Sequence, residues 1–489
     1  MAQKEKKYGK YGIEARAYLA TRSALRLFRS EPVRRVPKKS SPKKIRVAFI
    51  HNEKKVHVGV HTGAAQINRL MAAALAERGV EVRNFYPRTQ LTDAPVHLKG
   101  LSNILFFYSL LEHKEAILKY DIIQGTTYTP LPFLAFNVPV VCHFGSTARG
   151  CLESTPRTSD LSEEERGVYK ELLRLDVIPE FDLKTLRPIE DIADIETIAA
   201  TRATACIATS RKVYEELVRM GVSTDRIHVI HNAIEDYWFD PPRDATRQSP
   251  RLVFLGRLGN DVFTLKLKGL SRLVQLYRAF PDTPKTTVCM TTNRKLKEWL
   301  RVSFPKHYMY VNFRKDLIPG ALAPLYGSVL LITSRYEGFS LSLVEGMSQG
   351  LVPVAFSVGV APEIIRSGEN GFLVSTTEEA IARTRELLND EEKRLSMASA
   401  AKETANQFRS SRIAKELEVL YRDIKNNVDT IRPSLLSKKD NRADEDATRK
   451  RIEDGRDSKR DEASMQGIRK PNDAIEKNKQ ESRQRNPDR

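Results

Sequence analysis

The segment Ser334-Arg335-Tyr336-Glu337-Gly338-Phe339-Ser340-Leu341-Ser342-Leu343-Val344-Glu345-Gly346-Met347 holds two glutamates that bracket seven residues. The apolar run Val329 to Ile332 directly before it reads as a strand. Gly338 frees the turn, and the helix that follows offers Leu343, Val344 and Met347 to a core. Ser340 is of the residue type that caps a helix start with its side chain. The helix start at Ser340 and Leu341 leaves N–H groups without intrahelical acceptors and carries partial positive charge, which suits a diphosphate. Glu345 lies inside the helix and tilts back toward that end, where a carboxylate facing solvent accepts two hydrogen bonds from a ribose diol. Glu337 precedes the helix and reaches a sugar beyond the phosphates.

These groups need strands to hold them at one sheet edge. Ile45 to Ile50 is an apolar run, followed by a loop from Gly59 to Gly63 and by Ile67, Leu70, Met71, Ala74 and Leu75 at helical spacing, ended by Gly79. Further strand candidates are Val80 to Tyr86, Ile122-Ile123, Val138 to Cys142, Ala205 to Ala208 and Ile227 to Ile230. Strands interleaved with helices predict a parallel sheet covered on both faces. After Pro241-Pro242 the pattern restarts with Leu252 to Leu255 and a helix carrying Leu270, Leu273, Val274, Tyr277 and Phe280. Strands at Thr287 to Met290, Met309 to Val311, Val329 to Ile332 and Val352 to Ala355 follow. The expected fold class is α/β, with two Rossmann-like domains at 45–240 and 241–410 facing a central cleft. Ile413, Leu417, Leu420 and Ile424 mark a last amphipathic helix within 411–430.

At 489 residues the chain exceeds what one core serves, which agrees with two domains plus appendages. A net charge of +19 and a pI near 9.6 favour a polyanionic neighbour: an anionic membrane surface, nucleic acid or a phosphorylated ligand. Much of that charge sits in a basic, partly helical arm at 1–44, where Ile13, Ala17, Ala20, Ala24 and Leu27 share a face; this is the expected site of peripheral membrane contact. Residues 431–489 carry no aromatic side chain and few apolar ones, and are expected to be disordered. Cys142, Cys151, Cys206 and Cys289 have no metal or disulfide spacing and read as small core residues in a reducing cytosol. No apolar run reaches the ~20 residues of a spanning helix, and the lysine-rich start has no leader-type apolar region, so a cytoplasmic location is expected.

The Glu337…Glu345 segment resembles the family 4 glycosyltransferases of GT-B fold, whose hallmark is this pair of glutamates in an EGFxLxxxEGM setting. The likeness continues through Gly350 to Val354, Gly359, Pro362 to Ile365 and Gly368 to Val374, and covers roughly residues 45–425. It implies that Glu337 contacts the donor sugar and Glu345 holds the nucleotide ribose. Gly256-Arg257-Leu258 and Lys268-Gly269 look like the family's diphosphate-neutralising pair, with Lys266 a competitor for Lys268 because the interval is long. His143, ending the Val138 to Cys142 strand, matches the family histidine that meets the donor sugar; His51, His57 and His61 are nearby alternatives. Asn232 stands at the family's hinge turn, with His231 and Ala233 as departures. Only Gly63 survives of the family's glycine pair in the cleft loop, a departure that bears on the acceptor side.

The resemblance implies transfer from a nucleotide-sugar donor to a glycan or lipid-linked acceptor, with retention of configuration and with neither cofactor nor metal. A sugar phosphorylase on the same scaffold, a basic nucleic-acid-binding protein and a catalytically silent partner-binding scaffold are the alternatives. No specific nucleic acid is expected, because aromatic side chains are not interleaved with the basic ones. The polar stretch between Gly145 and Ile198 serves a partner or covers the cleft.

Overall fold

Among the described residues twelve strands form two separate sheets, and every pairing between strands is parallel. The computed structural model describes residues 44–53, 63–88, 105–240 and 246–427. The basic arm, His57 and His61, the Pro241-Pro242 linker and the charged tail lie outside the described residues. The first sheet contains β1 (Arg46–Ile50), β2 (Glu81–Phe85), β3 (Ile122–Thr126), β4 (Val140–Phe144), β5 (Ala205–Ala208) and β6 (Ile227–Val229), in the order β2-β1-β3-β4-β5-β6. The second contains β7 (Leu252–Arg257), β8 (Lys285–Met290), β9 (His307–Val311), β10 (Val329–Ile332), β11 (Val352–Phe356) and β12 (Phe372–Val374), in the order β12-β11-β10-β7-β8-β9.

Strands buried on both faces read as unbroken apolar runs, and β3, β4 and β11 are buried at every residue. The second sheet has the strand order of dinucleotide-binding domains, whereas the first follows the flavodoxin-like order, so the two halves are not topological copies. Both orders reverse direction at one point, between β1 and β3 and between β7 and β10. A crevice opens there beyond the strand ends. Cys142, Cys206 and Cys289 are buried strand residues, and all four cysteines are free thiols.

Two segments cross from one half to the other. The helix over residues 410–427 comes after the second sheet yet packs on the first, with Ile413, Leu417, Leu420, Tyr421 and Ile424 against Val47, Phe49 and Met71. Arg78 pairs with Glu418 at 2.7 Å on the same face. In the opposite sense, Leu161, Val168, Tyr169 and Leu172 belong by sequence to the first half but complete the core of the second, with Leu252, Phe254, Leu273 and Val274. The polar stretch between Gly145 and Ile198 therefore has an internal apolar face, on the helix Glu163–Arg174, and that face is covered by the second sheet's helices. Its charged face continues the contact: Arg278 pairs with Glu171 at 2.7 Å, and Trp299 Nε1 donates to Glu171 at 3.0 Å. The described residues through Lys425 make one compact unit. Among the described residues no helix is long and apolar enough to cross a membrane.

Candidate active site

A cleft of about 1150 Å³ lies where the two reversal points face each other. Its walls include Asn52, Gln66, Thr127, His143 and Asn232 from the first half, and Arg257, Lys268, Lys315, Glu337, Ser340, Leu341 and Glu345 from the second. Seven of the eight site residues expected from the sequence are thus gathered in one cavity. The eighth, Gly63, starts the helix Gly63–Glu77, and the loop before it lies outside the described residues.

The two halves meet by backbone at Gly338. A Cβ there would come within 1.9 Å of the Gly145 carbonyl oxygen and 2.5 Å of Ser146 Cα, and Ser210 Oγ donates to the Gly338 carbonyl at 2.5 Å. Gly338 has no positive φ, so it serves close approach rather than the turn freedom expected of it. Its neighbour Tyr336 fills a first-half pocket: its hydroxyl donates to Glu216 at 2.7 Å and accepts from the Thr147 N–H at 2.9 Å. Glu337 is held just past this contact. Its Oε1 accepts from Lys268 Nζ at 2.6 Å and from Ser334 Oγ at 2.7 Å.

Ser340 corrects one expectation. It stands at the N-cap position of the helix Leu341–Ser348, but with φ 86 and ψ 74 it is left-handed and its side chain makes no capping bond. A side-chain cap needs extended backbone to aim its oxygen at the first turn. Ser340 Oγ is instead buried without a partner beside the cleft. Left-handed non-glycine backbone costs about 1–3 kcal/mol and concentrates at functional sites. The helix start therefore presents both its N–H groups and an unused hydroxyl.

Glu345 corrects another. It does not face solvent: it is 6% exposed in the cleft wall, and Lys315 Nζ lies 2.7 Å from its Oε1. That ammonium compensates the charge of the carboxylate. Burial pushes the Glu345 carboxyl above the usual range; Lys315 pulls it back and the charge of Glu235 raises it further. Lys315 was not apparent in the sequence. Its only local signal is a cation just past the end of β9, where an isolated lysine reads as surface.

The helix Val262–Leu267 contains Lys266 and ends at Lys268; Asp261 caps it by accepting from Thr264 N at 2.8 Å, and it accounts for the long interval between Arg257 and Lys268. Lys268 faces the cleft, whereas Lys266 is 1% exposed, turned away and paired with Asp182. Gly269, at φ 65, lets this turn press on the next strand's end; a Cβ there would meet the Thr333 carbonyl oxygen at 1.9 Å. Arg257 ends β7 at the reversal point with its side chain exposed into the cleft.

His143 is 6% exposed in β4, and its Nδ1 is buried without a partner. Burial lowers its pKa to about 4 even though Asn232 favours the charged form, so the ring is neutral near pH 7. His51 is structural: fully buried, stacked on Tyr86 at 4.4 Å, with Nε2 2.9 Å from Asn84 Oδ1. Asn232 lines the cleft with Oδ1 buried and unpartnered.

Two family profiles match the chain. The one described as Glycosyl transferases group 1 covers residues 249–404, and the one described as Glycosyltransferase Family 4 covers residues 61–236. The chain belongs to the family 4 glycosyltransferases of GT-B fold. The N-acetyl-alpha-D-glucosaminyl L-malate synthase of Bacillus anthracis is 35% identical over 99 residues, a match spanning 20% of this chain and 26% of that relative. The match thus spans about a quarter of the length of that curated relative. Among solved structures, the sucrose-phosphate synthase of Thermosynechococcus elongatus superposes with a TM-score of 0.61 at 16% identity, over 78% of this chain and 99% of that one. Anabaena HepE, solved in complex with UDP-glucose, does so with a TM-score of 0.53 at 18% identity, over 78% and 100%. These likenesses establish the GT-B fold of the glycosyltransferase, including the two sheets around one cleft.

Proposed function

We propose that this glycosyltransferase moves a sugar from a nucleoside diphosphate sugar to an acceptor hydroxyl, with retention of anomeric configuration and without a metal. One observation carries the reading. Ser340 Oγ, Asn232 Oδ1 and His143 Nδ1 are buried polar atoms without a hydrogen-bond partner, and all belong to residues lining the cleft that Arg257 and Lys268 also line. Buried polar groups are normally satisfied, so three at one cavity suit a polar ligand that completes them. HepE was solved with UDP-glucose, which makes a nucleoside diphosphate hexose the first donor class to try.

In the proposed step the bond between the anomeric carbon and the diphosphate oxygen breaks, with its electron pair leaving on the phosphate. The acceptor oxygen bonds the same face, and its proton passes to the departing phosphate oxygen. Arg257, Lys268 and the start of the helix Leu341–Ser348 stabilise the charge that grows on the diphosphate. Glu345 binds the ribose hydroxyls, Glu337 the sugar, and neutral His143 offers the sugar a hydrogen bond without protonating it. The acceptor is a cell-envelope glycan or a lipid-linked glycan, presented at an anionic membrane surface to which arm 1–44 adheres.

Calorimetry with UDP, GDP and ADP tests the donor half. One of them should bind wild type, and Glu345→Gln should weaken it about tenfold or more, the cost of a charged hydrogen bond. NMR of the product's anomeric signal tests retention. Binding of none of the three nucleotides overturns the proposal.

A further inference from the structure

Lys315 has no role in the donor chemistry above, yet it is a half-buried ammonium between two acids. Its Nζ lies 2.7 Å from Glu345 Oε1 and 3.0 Å from Glu235 Oε2. Burial works against its charge, but Glu345 and Glu235 outweigh that and hold the ammonium above its ordinary range. Glu235 follows the turn at Asn232 that leaves the first half, and it is bound on two further sides. Gln66 Nε2, on the first-half helix Gly63–Glu77, donates to Glu235 Oε1, and Trp238 Nε1 donates to Oε2 at 3.2 Å. Gln66, Glu235, Lys315 and Glu345 all line the cleft, so the chain of contacts runs along its wall from the acceptor half to the ribose carboxylate.

A lone surface lysine would not be held between two carboxylates, one of them bound in turn by Gln66 of the first half, and an ion pair that served the core alone would not line the cleft. Two acids this close would repel, and without Lys315 the buried Glu345 would shed its charge. We propose that Lys315 is a positioning residue of the donor site, holding the Glu345 carboxylate for the ribose diol and tying it through Glu235 to Gln66 on the first half. The inference rests on the donor reading of the cleft. It adds a residue outside the family motif and a physical link between the two halves.

The test uses the full chain with UDP, GDP and ADP in calorimetry, continuing with whichever binds wild type. Lys315→Met should weaken that nucleotide about 10- to 100-fold, and Lys315→Arg should recover most of the loss. The groups facing Glu345 are Lys315, Glu235 and Tyr237. With Lys315 gone, burial and the charge of Glu235 both oppose its charge, and the neutral phenol of Tyr237 does not offset them. The loss in Lys315→Met should therefore grow as pH falls from about 8 to 6, while wild-type binding changes little over that range. Should Lys315→Met fail to fold, Lys315→Met combined with Glu235→Gln removes the second acid and should still weaken binding, with a shallower pH dependence because burial alone then opposes the Glu345 charge. A purely structural lysine would lower Tm in Lys315→Met but leave nucleotide affinity and its pH dependence unchanged, and that result overturns the proposal. Binding of no nucleotide by wild type overturns the donor reading together with it, so the two failures are distinct.

Discussion

Lys268 Nζ donates to Glu337 Oε1 across 2.6 Å, which pairs the cation proposed for the diphosphate with the carboxylate proposed for the sugar. Both side chains are largely buried, at 21% and 15% exposure. A donor that occupies the cleft must divide this pair, taking the ammonium for phosphate and the carboxylate for a sugar hydroxyl.

Lys268→Ala is expected to lower turnover on the order of 100-fold or more, because it removes a preorganised positive group from the leaving phosphate. Lys266→Ala, which loses the pair with Asp182 and the contact with the Tyr169 ring, should lower Tm while leaving the donor KM unchanged. Steady-state kinetics on the two variants decides between them. An equal rise in donor KM for Lys266→Ala would show that the wrong lysine has been assigned.

Arg257 is exposed at the end of β7, so Arg257→Ala should change stability by no more than about 0.5 kcal/mol. Its turnover under saturating donor should nevertheless fall roughly 100–1000-fold. Arg257→Lys separates charge from shape, since lysine keeps the charge but not the planar fork. Partial recovery assigns Arg257 to charge neutralisation, and near wild-type turnover in Arg257→Ala removes it from the site.

Leu172 is fully buried against second-half residues although it precedes β5 in the chain. Leu172→Ala should cost about 2–5 kcal/mol, the range for a buried leucine left as a cavity. Hydrogen exchange should then rise first in β7, β8 and β10 rather than in β1, β3 and β4. Exchange that rises evenly in both sheets, or only in the first, would count against the helix Glu163–Arg174 belonging to the second core.

Glu196 supports the loop behind Gly145, its Oε2 accepting from the Ala148 N–H at 2.7 Å. Burial raises its pKa to about 8; the bond from Ala148 N–H works against the rise and the charge of Glu216 adds to it. A folded-state pKa above the unfolded value of 4.5 stabilises fully below pH 4.5, and that contribution is lost as pH rises toward 8. Glu196→Gln should therefore unfold at a higher temperature than wild type at pH 8, keep an acceptor for Ala148, and narrow the advantage as pH approaches 5. Within this window one proton linkage is worth about 1.4 kcal/mol per pH unit. A wild type and a Glu196→Gln with parallel Tm-against-pH curves would place the ionisation elsewhere.

Residue type and spacing alone determined much of this protein. Ala205 to Ala208 and Val329 to Ile332 are strands over those same residues, and the restart near Leu252 marks the second sheet. Such features are legible because a strand buried on both faces must be an apolar run, and a helix beside it must repeat its apolar positions every three or four residues. Glu337, Arg257 and His143 were legible for a related reason, since each stands near or after the end of a strand whose direction aims it at the crevice, and Glu345 lies inside the helix whose start lines the same cleft. Phe372 to Val374 was not recognised as a strand. Three residues are too few for periodicity, and only the pairing with β11 makes them β12.

Tertiary structure alone decided which lysine faces the cleft, because Lys266 and Lys268 are the same residue type two positions apart and only the fold turns one toward Asp182. It also set Ser340 in a left-handed conformation, buried Glu345, and placed Lys315 between Glu345 and Glu235. Residue 315 lies 30 positions from one partner and 80 from the other. No local spacing encodes contacts that long. The same holds for the helix over 410–427 on the first sheet and for Leu172 in the second core. Sequence periodicity states that a face will be buried, and only the packed chain states against what.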